Sequence, residues 1–290
     1  MNPLALPTRR SLLKIAAGLP LAPLMLLQPA AASAPGPVSL MVPYPAGGPS
    51  DVSARILSKP IGEGLAAKVI VENLGGATGT IAASKVLGAR ADGSMFFQGT
   101  QNELILPPLT NKAVRYQPDA FENLQYITVT HLVLLVRSGL PARNMEEFLA
   151  LARSRNESNS LTYGSVGVGS LYHLITEYMG KVVKVPFTHA PYAGTAPVIQ
   201  DLAGGQIDFS IMPFQASMLE MIRTGRFRAL AVLSRNRPAV LSAVPSITEV
   251  PALRDFEYAS LAGYFVKRGT PQDVKPVSYT HLTLPTICSV

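Results

Sequence analysis

Residues 38–51 read VSLMVPYPAGGPSD, and their pattern indicates how the chain begins to fold. The first five residues are an apolar run that ends at Pro43, which is typical of a short buried strand. A loop rich in glycine and proline follows. After it, apolar residues recur at helical spacing from Val52 to Leu65. The stretch therefore predicts a strand, a glycine loop and a helix in direct succession.

The same alternation continues along the chain. We predict strands at residues 38–42, 69–71, 95–97, 132–136, 161–163, 185–187, 207–212, 228–233 and 256–266, and helices at residues 52–65, 81–87, 145–154, 171–178, 198–202 and 218–222. Strands that alternate with helices indicate an α/β protein with a largely parallel sheet. The predicted elements form two units. The chain passes from the first unit into the second near residue 133 and returns to the first near residue 230. Because no linker rich in Gly, Ser or Pro lies between them, we expect the chain to cross on extended strands that form a hinge.

Residues 1–34 predict an export signal. Arg9 and Arg10 lie in the motif TRRSLLK, residues 15–27 are apolar, and small residues follow as a cleavage site. The apolar run is shorter than the ~20 residues that span a bilayer. The paired arginines resemble a twin-arginine signal, and an ordinary secretory signal is the alternative. We therefore expect a mature chain that is not inserted in the membrane and lies in the periplasm of a Gram-negative bacterium.

Charge and cysteine content exclude several classes of protein. The formal net charge is +7, no run of five Lys or Arg occurs, and three of the cations lie before residue 35. Such a chain is a poor nucleic-acid binder, although its surface weakly favours small anions. Cys288 is the single cysteine. One chain can therefore form neither a disulfide framework nor a Cys-rich metal site.

Motifs for cofactors and catalysis are missing from the sequence. There is no Walker A motif, full dinucleotide-binding fingerprint, nucleophile elbow or His-Glu-x-x-His, and the four histidines lack metal-ligand spacing. We therefore predict no metal, no cofactor and no catalytic residue. Ser165 and His173 offer a nucleophile and a base without an evident acidic partner. An exported serine hydrolase that uses both residues stays open as an alternative.

Three loops follow predicted strands and precede predicted helices, at residues 43–51, 163–170 and 191–195. Ligands of open α/β sheets bind outside the carboxyl ends of the strands, where such loops lie. The N-terminus of a helix attracts carboxylate or phosphate, and glycine lets an anion approach the backbone. Two such loops on facing units would hold the two ends of a small dicarboxylate. We expect Asp51 to cap the first helix, because a carboxylate would repel an anionic ligand.

A series of motifs resembles a known family. In chain order the motifs are VPYPAGGPSD (42–51), VEN (71–73), ADG (91–93), YGS (163–165), GS with His173 (169–173), VPF (185–187), PYAG (191–194), DLAGGQID (201–208), RALAV (228–232) and VPS (244–246). Their order and spacing resemble the Bug receptors, the extracytoplasmic solute-binding proteins of tripartite tricarboxylate transporters. The resemblance runs from about residue 38 to about residue 275.

The resemblance implies a two-lobed periplasmic binding protein of the type II-like, Venus-flytrap kind, with a hinge of crossing strands. Lobe 1 would comprise residues 38–132 and 231–275, and lobe 2 residues 133–230. The ligand would be a small carboxylate, and the partners would be the large and small membrane subunits of a tripartite transporter. A ligand sensor for a membrane kinase is an alternative. The ligand-binding residues carried over from the family are Tyr44, Ala46, Gly47, Gly48, Ser165, Gly169, His173, Thr195 and Asp208.

The sequence departs from the family pattern in two places. Residues 73–79 read NLGGATG, where the family usually has NRPGAGG, so the arginine is missing. Residues 276–290 match nothing in the family and lack helical apolar spacing. We expect this tail to be a truncated or corrupted C-terminus.

Overall fold

The computed structural model describes residues 36–272. The predicted export signal and the tail at residues 276–290 lie outside the described residues. Within them no helix has the length and apolar character needed to cross a bilayer. The strands are β1 (Val38–Val42), β2 (Val69–Asn73), β3 (Met95–Thr100), β4 (Phe121–Arg137), β5 (Leu161–Ser165), β6 (Phe187–Pro191), β7 (Phe209–Pro213), β8 (Phe227–Val232) and β9 (Ala259–Lys267). The helices are α1 (Pro49–Leu65), α2 (Thr80–Gly88), α3 (Gln101–Leu104), α4 (Leu106–Thr110), α5 (Met145–Arg153), α6 (Leu171–Val183), α7 (Thr195–Ala203) and α8 (Ser217–Arg223).

The described strands form one mixed sheet in the order β2-β1-β3-β9-β4-β7-β5-β6, with β8 also beside β4. In the outer parts, β1 is parallel to β2 and β3, and β5 is parallel to β6 and β7. In the centre, β4 is antiparallel to β7, β8 and β9. The α/β class is confirmed. The expectation of a largely parallel sheet is wrong for the centre, because β4 carries the chain from one half of the sheet to the other and β9 carries it back.

Strand β4 belongs to both halves of the sheet. Residues 121–131 pair with β9, and residues 132–137 pair with β7 and β8. The first of these segments is not predicted as a strand from the sequence. Its residues are mostly half-buried, and its register with β9 shifts twice. It therefore lacks the regular apolar alternation by which a strand is identified from sequence.

The second part of β4 is covered by helices on both faces. Leu132, Leu134 and Val136 lie in one apolar cluster with residues of α5 and α6, and Val133 and Leu135 lie in another with residues of α7 and α8. Successive side chains of a strand point to opposite faces of the sheet. A strand buried on both faces is apolar at every position, which explains the run LVLLV.

The first half of the sheet has the same layered arrangement. Leu40 and Phe96 pack with α1 on one face, and Met41 and Phe97 pack with α2 on the other. Each half is thus a three-layer α/β unit with its own core. The carboxyl ends of the parallel strands in both units lead into the loops described below.

The segment between β8 and β9 packs on the second half. Ile247, Leu253 and Phe256 lie in the cluster that contains residues of β5, β7 and α6. This segment therefore packs with the second half of the sheet, and β9 after it pairs with β3 and β4 in the first half.

We predict that Leu134→Ala lowers the free energy of unfolding by about 2–5 kcal/mol, because it leaves a cavity at a fully buried position of β4. Ile56→Ala is the control. Ile56 is 63% exposed on α1, so its truncation is expected to change stability by less than about 0.5 kcal/mol. Urea denaturation of both variants measures the difference. Equal losses would contradict the assignment of the central core to β4.

Candidate functional site

A cavity of about 590 Å³ lies among loops from both halves of the sheet. None of the described residues that line the cavity is Asp, Glu, Lys or Arg. Its polar groups are hydroxyls, one amide, one imidazole and backbone. The described lining residues are Tyr44, Gly76, Ala77, Thr78, Gly79, Thr80, Pro107, Thr110 and Asn111 from the first half, and Val166, Gly167, Val168, Gly169, His173, Leu174, Tyr192 and Ala193 from the second.

The loop after β1 is held by the first turn of α1. Gly48 is the N-cap residue, and no side chain caps this helix end. The Asp51 carboxylate accepts hydrogen bonds from the Gly47 N–H at 2.9 Å and from Arg55 Nε at 3.0 Å. Burial opposes ionisation of Asp51, but these hydrogen bonds outweigh it and keep the pKa of Asp51 below its usual value. Asp51 therefore stabilises the loop through its hydrogen bond with Gly47, whereas the N-cap position is occupied by Gly48. The Gly47 amide is already used within the chain.

The loop after β5 is fastened to α6 in a similar way. The Gly169 N–H donates to His173 Nδ1 at 3.0 Å, and the Ser170 Oγ accepts the His173 N–H at 3.3 Å. Because Nδ1 accepts a hydrogen bond, the neutral ring of His173 carries its proton on Nε2. His173 lines the cavity, and its Nε2–H is a donor that this loop does not use.

Ser165 contacts a histidine other than the one expected. Its Oγ lies 2.7 Å from His189 Nε2 and donates to the Gly167 carbonyl at 3.1 Å. Ser165 is buried, and His173 Nδ1 is occupied by Gly169. The nucleophile–base pair of Ser165 and His173 is therefore not formed among the described residues, so the geometry does not favour the hydrolase alternative as it was drawn.

Aromatic rings stack beneath this loop. The ring centroids of His173 and His189 are 4.2 Å apart, and those of His189 and Tyr163 are 4.9 Å apart. The Tyr163 hydroxyl donates to Glu177 at 2.6 Å. Burial lowers the pKa of His189 to about 4, with a further contribution from His173, while Glu177 acts in the opposite direction. Burial also lowers the pKa of His173. Both rings are therefore neutral at pH 7.

A buried acid lies behind the first half of the cavity. Glu103 Oε2 accepts hydrogen bonds from the Thr100 N–H at 2.6 Å and the Thr100 hydroxyl at 2.8 Å, which forms a capping box on α3. Burial raises the pKa of Glu103 and that of the Tyr44 hydroxyl, and the nearby Glu103 raises the latter further. Among the described residues, neither Tyr44 Oη nor Glu103 Oε1 has a hydrogen bond of normal geometry. Tyr44 therefore lines the cavity, while its buried hydroxyl lies beside Glu103 and Asn102.

Direct contacts join the halves beside the cavity. The Leu171 N–H, at the start of α6, donates to Asn102 Oδ1 at 2.7 Å. A Cβ atom built on Gly194 would lie 3.4 Å from Pro45, so the loops after β1 and β6 are in close approach. The described loops thus form a closed rather than an open cleft.

Some of the predicted site residues line the cavity and others do not. Tyr44, Gly169 and His173 line the cavity. Thr195, the first residue of α7, is 8% exposed and is not among the lining residues. The remaining residues that lie near the cavity without lining it are Ala46, Gly47 and Gly48 in the loop after β1, and Ser165 at the end of β5.

Asp208 lies away from the cavity. Its carboxylate accepts hydrogen bonds from Arg137 Nε at 2.8 Å and from the Thr162 N–H at 3.0 Å. Thr162 is near the start of β5, whereas the glycine loop follows the end of that strand. Asp208 therefore forms an ion pair with Arg137 and is not among the described residues that line the cavity.

Sequence reasoning missed His189, Glu103 and the segment 76–80. The spacing of Thr100 and Glu103 is a capping-box signal and was available in the sequence. No sequence signal marks His189, because its approach to Ser165 depends on the parallel pairing of β5 with β6. Among the described residues, no group of three His, Cys, Asp or Glu is placed to hold a metal ion.

Solved structures similar to this chain include a periplasmic binding protein, BugD, and two proteins with bound malate or adipate. MatC from Rhodopseudomonas palustris with bound malate has a TM-score of 0.76 and 27% identity, covering 83% of this chain and 81% of that one. R. palustris Rpa4515 with adipate has a TM-score of 0.77 and 31% identity, covering 83% and 79%. The periplasmic binding protein BugD has a TM-score of 0.76 and 29% identity, covering 83% and 79%. The fold is therefore that of a two-lobed periplasmic solute-binding protein.

Family membership follows from the sequence comparison. Residues 53–279 match the tripartite tricarboxylate transporter family receptor, so the chain belongs to this family and the resemblance to Bug receptors is confirmed. A UPF0065 protein of Pseudomonas sp. (strain P51) is 31% identical over 225 residues, which are 77% of this chain and 66% of the relative. BugT of Bordetella pertussis is 29% identical over 204 residues, which are 69% and 61%. The chain thus spans about two thirds of the length of these relatives.

The neutral histidine stack makes stability depend on pH. His189 has a pKa of about 4 in the folded chain and about 6.5 when unfolded, so the unfolded chain binds the proton more readily. Stability should therefore fall as the pH drops from about 6.5 towards 4. We predict that His189→Gln reduces this fall by on the order of 2 kcal/mol. Urea denaturation between pH 7.5 and 4.5 measures it. An unchanged fall in the variant would contradict the prediction.

Proposed function

We propose that this chain is a periplasmic receptor that binds a small carboxylate and presents it to the large and small membrane subunits of a tripartite transporter. The observation that carries the proposal is the cavity of about 590 Å³ at the loops of both halves of the sheet. Its size lies in the range of small-molecule sites. Membership of the receptor family supports the same conclusion.

Neutral donors would recognise the carboxylate. His173 would donate from Nε2, because its Nδ1 is engaged with Gly169. The cavity lies at the N-terminal end of α6, a helix of 13 residues, where the helix dipole favours negative charge. Asn111 adds an amide to the opposite wall, where the Thr80 and Thr110 hydroxyls already donate to backbone carbonyls. The malate and adipate in the structures of two relatives support carboxylates as the ligand class.

The two lobes would move as units about the centre of the sheet. We assign residues 38–131 and 259–272 to lobe 1 and residues 132–258 to lobe 2. The first boundary is supported by the change of partner in β4. The second is supported by the packing of Ile247, Leu253 and Phe256, which moves it from residue 231 to the start of β9. Ligand binding would favour the closed arrangement, which the membrane subunits would recognise.

The chain would not transform its ligand chemically. The Ser165 hydroxyl is buried and engaged with Gly167 and His189, so it is not presented to the cavity. Residues 1–34 would direct export to the periplasm. Mass spectrometry of the bound molecule after incubation should recover it unchanged, and formation of a product would contradict this part of the proposal.

We predict that malate, adipate and citrate, tested separately, include at least one compound that stabilises the purified chain, whereas glucose and arginine do not. A ligand at about 100 times its dissociation constant stabilises by about 2.7 kcal/mol, which shifts the melting temperature measurably. Thermal-shift assays followed by calorimetry measure the response. A folded protein that responds to none of the carboxylates would contradict the proposal.

Two glycine variants give a matched test of the site. Gly169 and Gly225 both have positive φ angles, of 78° and 71°, so alanine strains the backbone at each. A Cβ on Gly169 would lie 3.1 Å from Thr110 Oγ1 beside the cavity, whereas a Cβ on Gly225 has nothing within 4 Å. Both variants should lose similar stability, and Gly169→Ala should also weaken carboxylate binding about tenfold or more. Equal affinities in the two variants would place the ligand elsewhere.

A further inference from the structure

Residues 76–79 form an unusual segment of backbone in the first half of the cavity. The φ angles of Gly76, Ala77, Thr78 and Gly79 are 119°, 45°, 54° and 82°. Positive φ is easy for glycine, but it is strained for a β-branched residue such as threonine. A strained residue persists only where surrounding contacts favour it, and such residues cluster at ligand sites. The contacts of Thr78 therefore decide what this segment does.

The contacts of Thr78 lie on the opposite side of the cleft. Its hydroxyl donates to the Val168 carbonyl at 3.0 Å. A Cβ atom built on Gly167 would lie 2.7 Å from Thr78 Oγ1, and the three nearest atoms to that position all belong to Thr78. Thr78, Gly167 and Val168 all line the cavity. One side chain thus touches both the cavity and the loop that faces it.

This contact can exist only when the cleft is closed. Thr78 lies between β2 and α2 of the first half, and Val168 lies between β5 and α6 of the second. Separation of the halves breaks the hydrogen bond and returns both groups to water. The energy of the contact therefore enters the equilibrium between open and closed forms.

We propose that Thr78 is a latch that holds the closed cleft and sets the affinity for the ligand. This inference rests on the proposed function, and it adds a residue and a mechanism to that function. A ligand that binds the closed form has an apparent dissociation constant that rises as the closed fraction falls. Thr78 also limits the space beside Gly167, so it shapes the wall against which the ligand packs.

Thr78→Val tests the hydrogen bond, because valine keeps the shape and the β-branch but has no donor. Loss of the bond should raise the dissociation constant for the best carboxylate of the panel roughly threefold to tenfold. Thr78→Ser keeps the donor and should stay within about twofold of wild type. Calorimetry measures both variants. Equal affinities for the valine and serine variants would overturn the latch.

A double-mutant cycle tests the contact from the other side. Gly167→Ala places a methyl group against Thr78 Oγ1 in the closed cleft. It should weaken binding about tenfold or more in the wild-type chain and several-fold less when Thr78 is replaced by glycine. The backbone strain of alanine at position 167, where φ is 128°, is the same in both backgrounds. It therefore cancels when the two changes in the dissociation constant are compared. The same factor in both backgrounds would contradict the proximity of these residues.

Small-angle scattering of the ligand-free variants separates this proposal from the receptor proposal. Thr78→Val should have a larger radius of gyration than Thr78→Ser, because more of its molecules are open. A wild type that binds no carboxylate contradicts the receptor function alone, and the scattering comparison then decides whether Thr78 holds the cleft. Equal radii for the two variants, in that case, would overturn the latch.

Discussion

Strand β4 is hydrogen-bonded to β9 in its first part and to β7 and β8 in its second, and this change of partner organises the described chain. Backbone groups of a buried strand must be paired, so the two halves of the sheet are joined through its centre. Each half then builds its own core on both faces. The glycine loops at the carboxyl ends of β1 and β5 come to face one another because both halves share this strand.

The cavity loops are held by hydrogen bonds within the chain. Gly47 donates to Asp51, and Gly169 donates to His173. These bonds use amides that a ligand would otherwise take, but they also fix the loops in place. A site that is ordered in advance loses less conformational entropy on binding. The described lining is neutral, so recognition of an anion would depend on directed donors rather than on a cationic side chain.

Close packing also explains why the strained segment has this composition. A Cβ on Gly79 would lie 2.4 Å from Cγ of Glu103, the buried acid of the capping box on α3. Only glycine fits there, and its φ of 82° also favours glycine. The neighbouring residue, Thr78, also has a positive φ angle, of 54°, although it carries a branched side chain. Its hydroxyl reaches Val168, so the strain is accompanied by a contact across the cleft.

Sequence patterns alone predict the α/β class, most of the helices and strands, the glycine loops, the receptor family and three residues of the cavity wall. These follow from apolar periodicity, loop composition and motif order, which are local properties of the chain. The antiparallel centre, the pairing of Ser165 with His189, the ion pair of Asp208 with Arg137 and the contact of Thr78 with Val168 depend on the three-dimensional arrangement. The last pair is 90 residues apart in the chain. Such contacts depend on which strands become neighbours, and pairing between distant strands leaves no mark on the periodicity of either one.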